Sequence, residues 1–307
     1  MQTKKMVYLS SLVILPLVFV IFYTLRLVIN PTAINDAFPQ WYLVSVILTM
    51  ILLERLYTYS KGVSQRPFLA RDISSTLVHL FVTGTVARFF FVPALVFVPQ
   101  TIFGRGVFFD SPDQLGPFWL QVPMTLLFVS FFRYWMHRMQ HSVSFLWELH
   151  SYHHRVSDLK ASNLLVSHPI DYALRNVLVF VVLALIGFDP LAILVGVSVV
   201  SVASAFSHCG AGVKMGFINY ILVTPENHRW HHSANTPEGH RYAVNYGVGF
   251  IVWDILFGSF YLPKKDGQHE QPEKLGHPDG LEDEKNYFKF LLAPLGLWRP
   301  LRIFKKA

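Results

Sequence analysis

His-Arg-Met-Gln-His at residues 137–141, His-Ser-Tyr-His-His at 150–154 and His-Arg-Trp-His-His at 228–232 dominate this sequence. Their spacings are H-x-x-x-H, H-x-x-H-H and H-x-x-H-H. Residues three and four apart lie on one face of a helix, so each box is expected to aim two or three imidazoles at one point. These boxes contain eight of the 14 histidines in the chain. Because neutral imidazole is a common metal ligand, the pattern predicts a site for more than one metal ion.

The composition of the 307-residue chain is typical of an integral membrane protein. Hydrophobic residues make up 52% of the sequence, charged residues only 15%, and the mean hydropathy is +0.39. Soluble domains carry about 25% charged residues. The net charge of +7 fits basic loops that face anionic lipid. No Lys/Arg-rich arm with interleaved aromatic residues is present, which argues against nucleic-acid binding. The single cysteine, Cys209, excludes an intrachain disulfide and a multi-thiolate zinc or iron–sulfur site.

Four apolar stretches predict membrane-spanning helices, over residues 6–29, 37–53, 73–98 and 118–136. The first has no small-residue cleavage site after it, which favours a retained span over a signal peptide. The loop after the second span contains four basic residues between positions 55 and 71. The positive-inside rule places such a loop in the cytoplasm. Four crossings that start inside therefore return the chain to the cytoplasm at the first box.

A further apolar block predicts a helical hairpin. It covers residues 170–206 and is broken at Gly187-Phe188-Asp189-Pro190, which is a turn signal. The hairpin brings His208 back to the side of the first two boxes. Before the third box, Thr224 is the predicted N-cap of a short helix with Pro225 at its first position. All three boxes are thus expected to meet on the cytoplasmic side.

At these boxes the sequence resembles the membrane-bound fatty acid hydroxylase / sterol desaturase superfamily. The resemblance covers about residues 118–261, and its motifs are highly specific. The matching stretches are residues 134–141, 147–154 and 224–233, with the family's closing motif at 245–247 and 253–259.

The resemblance implies a non-haem di-iron centre that activates O2. His208 fits the family's additional histidine between the second and third boxes. The implied ligands are His137, His141, His150, His153, His154, His208, His228, His231 and His232. His168, before Pro169, resembles a further family histidine, although Val166-Ser167 stand where many members carry an Arg.

The predicted architecture is an all-α integral membrane protein. Four N-terminal transmembrane helices and a helical hairpin accompany a cytoplasmic helical metal site built from the histidine boxes. Residues 1–117 are predicted to hold spans of generic character. Residues 118–262 are predicted to form a fatty acid hydroxylase-type catalytic domain, and 263–307 a charged cytoplasmic tail. Residues 245–260 are short for a span, which favours an interfacial or packed segment that closes over the site.

Several side chains near the boxes have two interpretations. Glu148, Asp158 and Glu226 either orient imidazole N–H groups or lie on the surface as solvated charges. Cys209 is either a thiolate ligand or, as we favour, a small buried residue. His79, inside the third span, either lines the site or a substrate channel or, as we favour, packs as a polar residue near a helix end.

The implied reaction is hydroxylation of a C–H bond in a sterol, a fatty acyl chain or a related lipid that slides out of the bilayer. Side chains alone cannot supply the oxidant, so two iron ions, O2 and external electrons are implied. No haem or flavin motif is present, so a separate reductase or small carrier is expected. The basic residues Arg155 and Lys160 would dock either an acidic carrier or lipid headgroups. The expected location is multi-pass in a bacterial inner membrane or the endoplasmic reticulum, with the active site on the cytoplasmic face.

Three other functions remain as alternatives. A lipid or sterol desaturase would use the same di-iron centre, and the sequence does not separate it from a hydroxylase. A membrane metal carrier would place ligands in the middle of its spans, whereas these boxes lie outside them. A zinc hydrolase would need a general base as in H-E-x-x-H, and Glu is absent from the positions inside each box.

Overall fold

The computed structural model describes residues 47–51, 54, 70–83, 109, 111–210, 214–240 and 243–279, and this part of the chain is mostly helical. The α-helices are α1 (Ala70–Leu77), α2 (Phe118–Ser142), α3 (Ser144–His150), α4 (Pro169–Ile186), α5 (Pro190–Ser207), α6 (Pro225–His231) and α7 (Val252–Leu256). Shorter helical turns cover Val78–Thr83, Pro112–Leu115, His153–Arg155, Ala161–Asn163 and Gly216–Tyr220. Two short antiparallel strands, β1 (Lys264–Lys265) and β2 (Gln268–His269), form a hairpin near the end.

The predicted helical hairpin is confirmed as α4 and α5. Gly187 ends α4 in the left-handed region, with φ +105°, where a residue without Cβ is not strained. Asp189 caps α5, because its carboxylate accepts from the Leu191 and Ala192 amides at 2.8 and 3.1 Å. Pro190 occupies the first helical position, where its missing N–H costs nothing.

Among the described residues, α4 and α5 are the two helices long and apolar enough to cross a membrane. Of the 18 residues of α4 only 17% are buried inside the protein, against 50% for α5. Most side chains of α4 are therefore only partly buried, while half of those of α5 lie within the helix packing. The first three predicted spans lie wholly or largely outside the described residues.

Helix α2 is longer than the fourth span predicted for residues 118–136. It has 25 residues and carries the first histidine box on its last turns. Pro123 lies inside it without ending it, as expected. The box residues continue the helix past the predicted end of the span, to Ser142. Buried polar residues, such as Gln121 and Thr125, make α2 less apolar than the hairpin helices.

Polar contacts fix α2 and α5 side by side and parallel. The Gln121 Oε1 atom accepts from the Asp189 amide at 2.9 Å, and the Thr125 hydroxyl donates to the Ala192 carbonyl at 2.9 Å. Further along, the Arg133 guanidinium lies 3.3 Å from the Ser201 hydroxyl. The constant offset between partners means that the C-terminal ends of α2 and α5 lie at the same end of the bundle.

The apolar core between α2, α4 and α5 holds these ends together. Val129, Leu183 and Val197 are among its buried members. Helix α4 runs antiparallel to α2, since Gln140 near the end of α2 bonds to Asp171 near the start of α4. The end of α2, the start of α4 and the end of α5 therefore converge, and the histidines lie there.

Gly196 allows α5 to approach α2 closely. A Cβ atom at this position would lie 2.5 Å from Thr125 Oγ1 and 3.1 Å from the Thr125 backbone carbon. We expect Gly196→Ala to lower the free energy of unfolding by about 1–3 kcal/mol through overpacking, despite the higher helix propensity of Ala. The measurement is thermal unfolding in detergent. Adding Thr125→Ala, which removes the nearest atom, should restore part of the loss, and a Gly196→Ala chain as stable as the parent would contradict this packing.

Candidate metal centre

The structure brings the nine predicted ligands together in two adjacent groups, and within each group the candidate ligand atoms lie within 4.8 Å of one another. The first group contains His137, His141, His150, His154 and His231. The second group contains His153, His208, His228 and His232. The rings of His154 and His232 stack across the boundary, with centroids 4.3 Å apart. The arrangement offers two neighbouring all-imidazole sites.

Each H-x-x-H-H box divides its histidines between the two groups. In the second box the first and last histidines join the first group, and His153 joins the second group. In the third box the first and last join the second group, and His231 joins the first. Successive helical residues are about 100° apart, so His231 and His232 at the end of α6 diverge. The second box leaves α3 after His150, and its last two histidines lie in the separate turn His153–Arg155. The expectation that each box aims at one point was therefore wrong for these two boxes.

The third box lies on α6, whose start is capped as predicted. The Thr224 hydroxyl accepts from the Asn227 amide at 3.5 Å, and the Asn227 side-chain oxygen accepts from the Thr224 amide at 2.9 Å. Pro225 is the first helical residue. This reciprocal cap satisfies amides that a helix start leaves unpaired and fixes the direction of the imidazoles one turn later.

Oxygen acceptors fix the tautomer of four of the nine histidines. A carbonyl or carboxylate oxygen can only accept, so the ring nitrogen that faces it carries the proton. The pairs are His137 with the Tyr246 carbonyl (2.9 Å), His153 with the Val166 carbonyl (3.1 Å), His231 with the Val244 carbonyl (2.9 Å) and His150 with the Asp171 carboxylate (3.2 Å). In each ring Nδ1 donates, which leaves the Nε2 lone pair for a metal ion.

The first group holds lone pairs that only a cation can satisfy together. The Nε2 atoms of His137 and His150 are 3.1 Å apart, and neither carries a proton because both Nδ1 atoms donate elsewhere. Within the described residues, the Nε2 atoms of His141, His154 and His231 are buried without a hydrogen-bond partner. Each unsatisfied buried polar atom costs about 1–3 kcal/mol. These residues fit a metal ion at their centre.

The second group also contains buried ring nitrogens without a hydrogen-bond partner among the described residues. The Nε2 atoms of His208 and His228 are 3.0 Å apart, and the Nδ1 atoms of both rings have no partner within the part of the chain described. Neither ring nitrogen of His232 has one there. A second metal ion fits this donor set.

Burial keeps both groups in the form that binds metals. Removal from water lowers the pKa of every histidine in the two groups, and neighbouring imidazoles add to the effect. The Arg175 cation lowers the pKa further for most of them, though not for His154 and His232. For His231 burial lowers the pKa to about 4, although the bond to Val244 opposes it. At neutral pH the imidazoles are therefore uncharged, which is the state that coordinates a metal ion.

The carboxylate that orients a box histidine is Asp171, which the sequence analysis missed. It is fully buried in the first turn of α4 and accepts from His150 Nδ1 at 3.2 Å. Gln140 donates to the same oxygen, and Arg175, one turn later, donates to the other at 2.7 Å. An acceptor on Nδ1 raises the basicity of a metal-binding imidazole and holds its ring in place.

The three predicted carboxylates have other surroundings. Glu148 is exposed. Asp158 lies 3.5 Å from the Lys160 ammonium. Glu226 is buried and accepts from the Met215 amide at 2.7 Å and from the Asn219 side chain at 2.8 Å, so it fixes the turn before its own helix. None of these contacts places a carboxylate on an imidazole.

The closing motif, residues 245–247 and 253–259, fixes the position of His137 in the first group. The Asp254 carboxylate accepts from the Tyr246 and Gly247 amides, both at 2.7 Å, and from the Ser259 hydroxyl at 2.7 Å. These bonds position the Tyr246 carbonyl that holds His137. Burial raises the pKa of Asp254 to about 7 although all three bonds oppose the shift. A Cβ at Gly247 would lie 2.6 Å from Asp254, so only glycine fits there.

A segment assigned to the charged tail lies against the third box. The Gly276 amide donates to the His232 carbonyl at 3.0 Å, and the Trp230 indole donates to the Glu270 carbonyl at 2.9 Å. Next to it, the ring of His277 is 5.5 Å from Trp147, whose ring is 4.9 Å from that of His141. Residues 270–277 therefore cover the site, a role that their composition did not predict.

Three other singled-out residues lie outside both groups. His79 is buried against Ser167, 3.0 Å from its carbonyl, as the packing interpretation predicts. His168 caps α4 and accepts from the Ile170 amide at 3.2 Å. Cys209 is buried beside His208, in agreement with the favoured interpretation.

A buried carboxylate from the N-terminal region, Glu54, braces the two segments that flank the second group. Its Oε1 atom accepts from the Ala161 amide, after the second box, and from the Gly210 amide, just after His208, both at 2.6 Å. Nothing in the local sequence indicated this role, because its partners are more than 100 positions away.

Comparison with known proteins supports the same assignment. The fatty acid hydroxylase family model matches residues 122–259. The chain is 30% identical to an ornithine lipid hydroxylase of Rhizobium tropici over 239 residues, which are 75% of this chain and 70% of that protein. It is 34% identical to human alkylglycerol monooxygenase over 141 residues, 43% of this chain but only 28% of that longer protein. A Delta(7)-sterol 5(6)-desaturase of Gibberella zeae is 24% identical over 65% of this chain and 64% of its own length.

No solved structure matches the chain significantly. The family that the histidine boxes predict is confirmed by the family model and by these relatives, which are hydroxylases, monooxygenases and desaturases. The protein is therefore an oxidoreductase that belongs to the fatty acid hydroxylase family.

Proposed function

We propose that the chain is a membrane-bound di-iron oxygenase that hydroxylates a C–H bond of a lipid with O2 and two external electrons. The observation that carries this proposal is the pair of adjacent imidazole groups, of five and four histidines, all of which are buried except the partly buried His141. Imidazole suits iron, zinc, copper and nickel alike, so the donor set alone does not select the metal. Family membership favours iron.

The nine histidines would hold two iron ions, which when bound supply the activation of O2. The chain's own residues do the rest. Carbonyls of Tyr246, Val166 and Val244 and the carboxylate of Asp171 hold four rings in one tautomer. The burial of all these ligands except the partly buried His141 limits the access of water to the reacting centre. This limits side reactions of a strong oxidant.

The lipid is proposed to reach the site from the bilayer. Helices α4 and α5 meet the length and hydropathy of membrane spans, and the metal groups lie at one end of them. We place that end on the cytoplasmic side of a multi-pass protein, because the basic loop near residue 60 fits the positive-inside rule.

The electrons are proposed to come from a separate carrier or reductase. Hydroxylation converts R–H, O2, two electrons and two protons into R–OH and water, so the donor must deliver two electrons per turnover. Of the two cations first considered for docking it, Lys160 has a side chain only 11% exposed and pairs with Asp158. That pair therefore offers little net charge to a carrier.

Hydroxylation is preferred to desaturation because the relatives with 30% or more identity are named as a hydroxylase and monooxygenases, while the sterol desaturase is 24% identical. The test is mass spectrometry of lipids after turnover under oxygen-18 gas. The iron-loaded chain would be supplied with a chemical reductant and a panel of ornithine lipids, alkylglycerol lipids and sterols.

One labelled oxygen atom in a lipid product would support the hydroxylase. A product that lacks two hydrogens and carries no label would show the desaturase instead. If an iron-loaded chain formed neither product with any lipid of the panel in the presence of reductant, both the hydroxylase and the desaturase would be contradicted.

A further inference from the structure

An exposed apolar surface lies beside the metal groups and outside the candidate spans. We call it the apolar edge and define it by Phe217, Tyr220, Ile221, Ile255, Leu256 and Phe257. Phe217 is 73% exposed and Leu256 is 64% exposed. Large exposed apolar patches mark surfaces that contact a membrane or another protein.

The two halves of the apolar edge form one surface. The Ile251 amide donates to the Ile221 carbonyl at 3.2 Å, and Leu222 and Phe250 form an antiparallel bridge. These bonds hold the turn before α6 against the start of α7. Two segments about thirty positions apart in sequence thus expose their apolar side chains together.

The apolar edge lies on the side of the metal groups that faces the hairpin helices. The Trp253 indole of α7 donates to the Ser130 hydroxyl of α2 at 2.9 Å, and its ring is 5.0 Å from that of Phe131. Phe131 precedes His137 by six residues, which is about 9 Å along a helix. Helix α7 is therefore placed beside the middle of α2, nearer the apolar core than the histidines are.

The exposed face of α2 continues this surface. Leu127, Phe131 and Trp135 recur every four residues and are exposed, and the rings of Trp135 and Phe257 are 5.0 Å apart. A helix face that exposes apolar residues at this spacing suits lipid on that side. The apolar edge and the α2 face meet at Phe257.

Basic side chains border the apolar edge. The Lys264 ammonium lies 5.8 Å from the centre of the Tyr220 ring. Lys214 and Lys265 are also exposed, as is the acidic Asp266 in the hairpin turn. Apolar and aromatic side chains with a basic border match the interface of a bilayer that contains anionic lipid.

We propose that the apolar edge is inserted into the leaflet nearest the metal groups, with Lys214, Lys264 and Lys265 at the level of anionic headgroups. This inference rests on the proposed membrane location and does not depend on the metal. It gives the site a fixed lateral contact with lipid, in addition to the spanning helices.

The test is fluorescence quenching by nitroxide-labelled lipids in nanodiscs of mixed neutral and anionic lipid. Leu256→Cys and Phe217→Cys chains would carry an environment-sensitive thiol label. Glu238→Cys, at an exposed loop position that is not part of the apolar edge, is the matched control. The parent chain serves as the labelling blank, since its single cysteine, Cys209, is buried.

We expect lipid quenching at least about threefold stronger at positions 217 and 256 than at 238, as for side chains about 5–10 Å below the headgroups. Replacing both Lys264 and Lys265 by Glu should weaken quenching at 217 in anionic discs, with little effect in neutral discs. Lipid quenching at position 256 no stronger than at 238 would overturn the proposal. So would quenching between labels on two copies of the chain in place of quenching by lipid, because the apolar edge would then contact another copy.

Iron content and product formation are measured on the same preparations. Normal iron and product without lipid quenching would overturn the apolar edge alone. Strong lipid quenching in a chain that binds no iron would support the apolar edge and count against the oxygenase.

Discussion

The His153→Ala chain is expected to bind about one iron ion where the parent binds about two, and to lose lipid oxidation by about 100-fold or more. His153 is one of four histidines in the second group, so its removal leaves three. The first group keeps all five of its rings and should keep its metal. Two-electron chemistry that needs both ions then fails although the fold persists. Iron analysis and product formation by one preparation measure both effects.

Two companion variants sharpen this result. His240→Ala removes a histidine that lies outside both groups, against Tyr261, and should leave iron and activity at the parent level. His141→Ala removes one ring of five and leaves four, so it should lose less iron than His153→Ala. A His153→Ala chain that retains about two ions and full activity would refute the assignment of the second group.

The Asp171→Asn chain is expected to bind metal about 10–100-fold more weakly and to be correspondingly less active. The carboxylate accepts from His150, Gln140 and Arg175 together. Asn keeps the volume but offers one acceptor oxygen, so at least one of these donors loses its partner. Alanine would be a poorer choice, because it would leave the Arg175 cation without its buried partner, at a cost of about 3–5 kcal/mol in folding.

The readout for Asp171→Asn is the rate at which a chelator strips iron, with thermal unfolding measured in parallel. The matched control is Asp158→Asn, which changes a carboxylate paired with Lys160. We expect stripping to accelerate only in Asp171→Asn. Equal acceleration in both chains, or none in Asp171→Asn, would contradict the role given to Asp171.

Features written in local sequence were predictable. The turn at Gly187-Phe188-Asp189-Pro190 and the cap at Thr224-Pro225 depend on backbone preferences of a few neighbouring residues, and both occur as expected. The histidine boxes were recognisable because their spacing follows the helical repeat. His208 was placed from the family resemblance, and the structure puts it among the second group.

Features that depend on tertiary contacts were not predictable. Asp171 is 21 positions from His150, and no spacing rule joins them. One signal was available, since a charged residue at the start of an apolar helix requires a partner. The third box is divided by the angle between adjacent helical residues, which a same-face rule overlooks, and the second because the chain leaves its helix after His150.

Iron analysis of the chain, purified in detergent and reconstituted with iron-57 under anaerobic conditions, tests the two-centre assignment most directly. Mössbauer spectra of the same sample report whether the ions interact. We expect about two iron ions per chain, in two nitrogen-ligated environments that are magnetically coupled. A single iron ion per chain would contradict the two-centre assignment. So would two ions that remain bound in a double variant that carries both His141→Ala and His153→Ala.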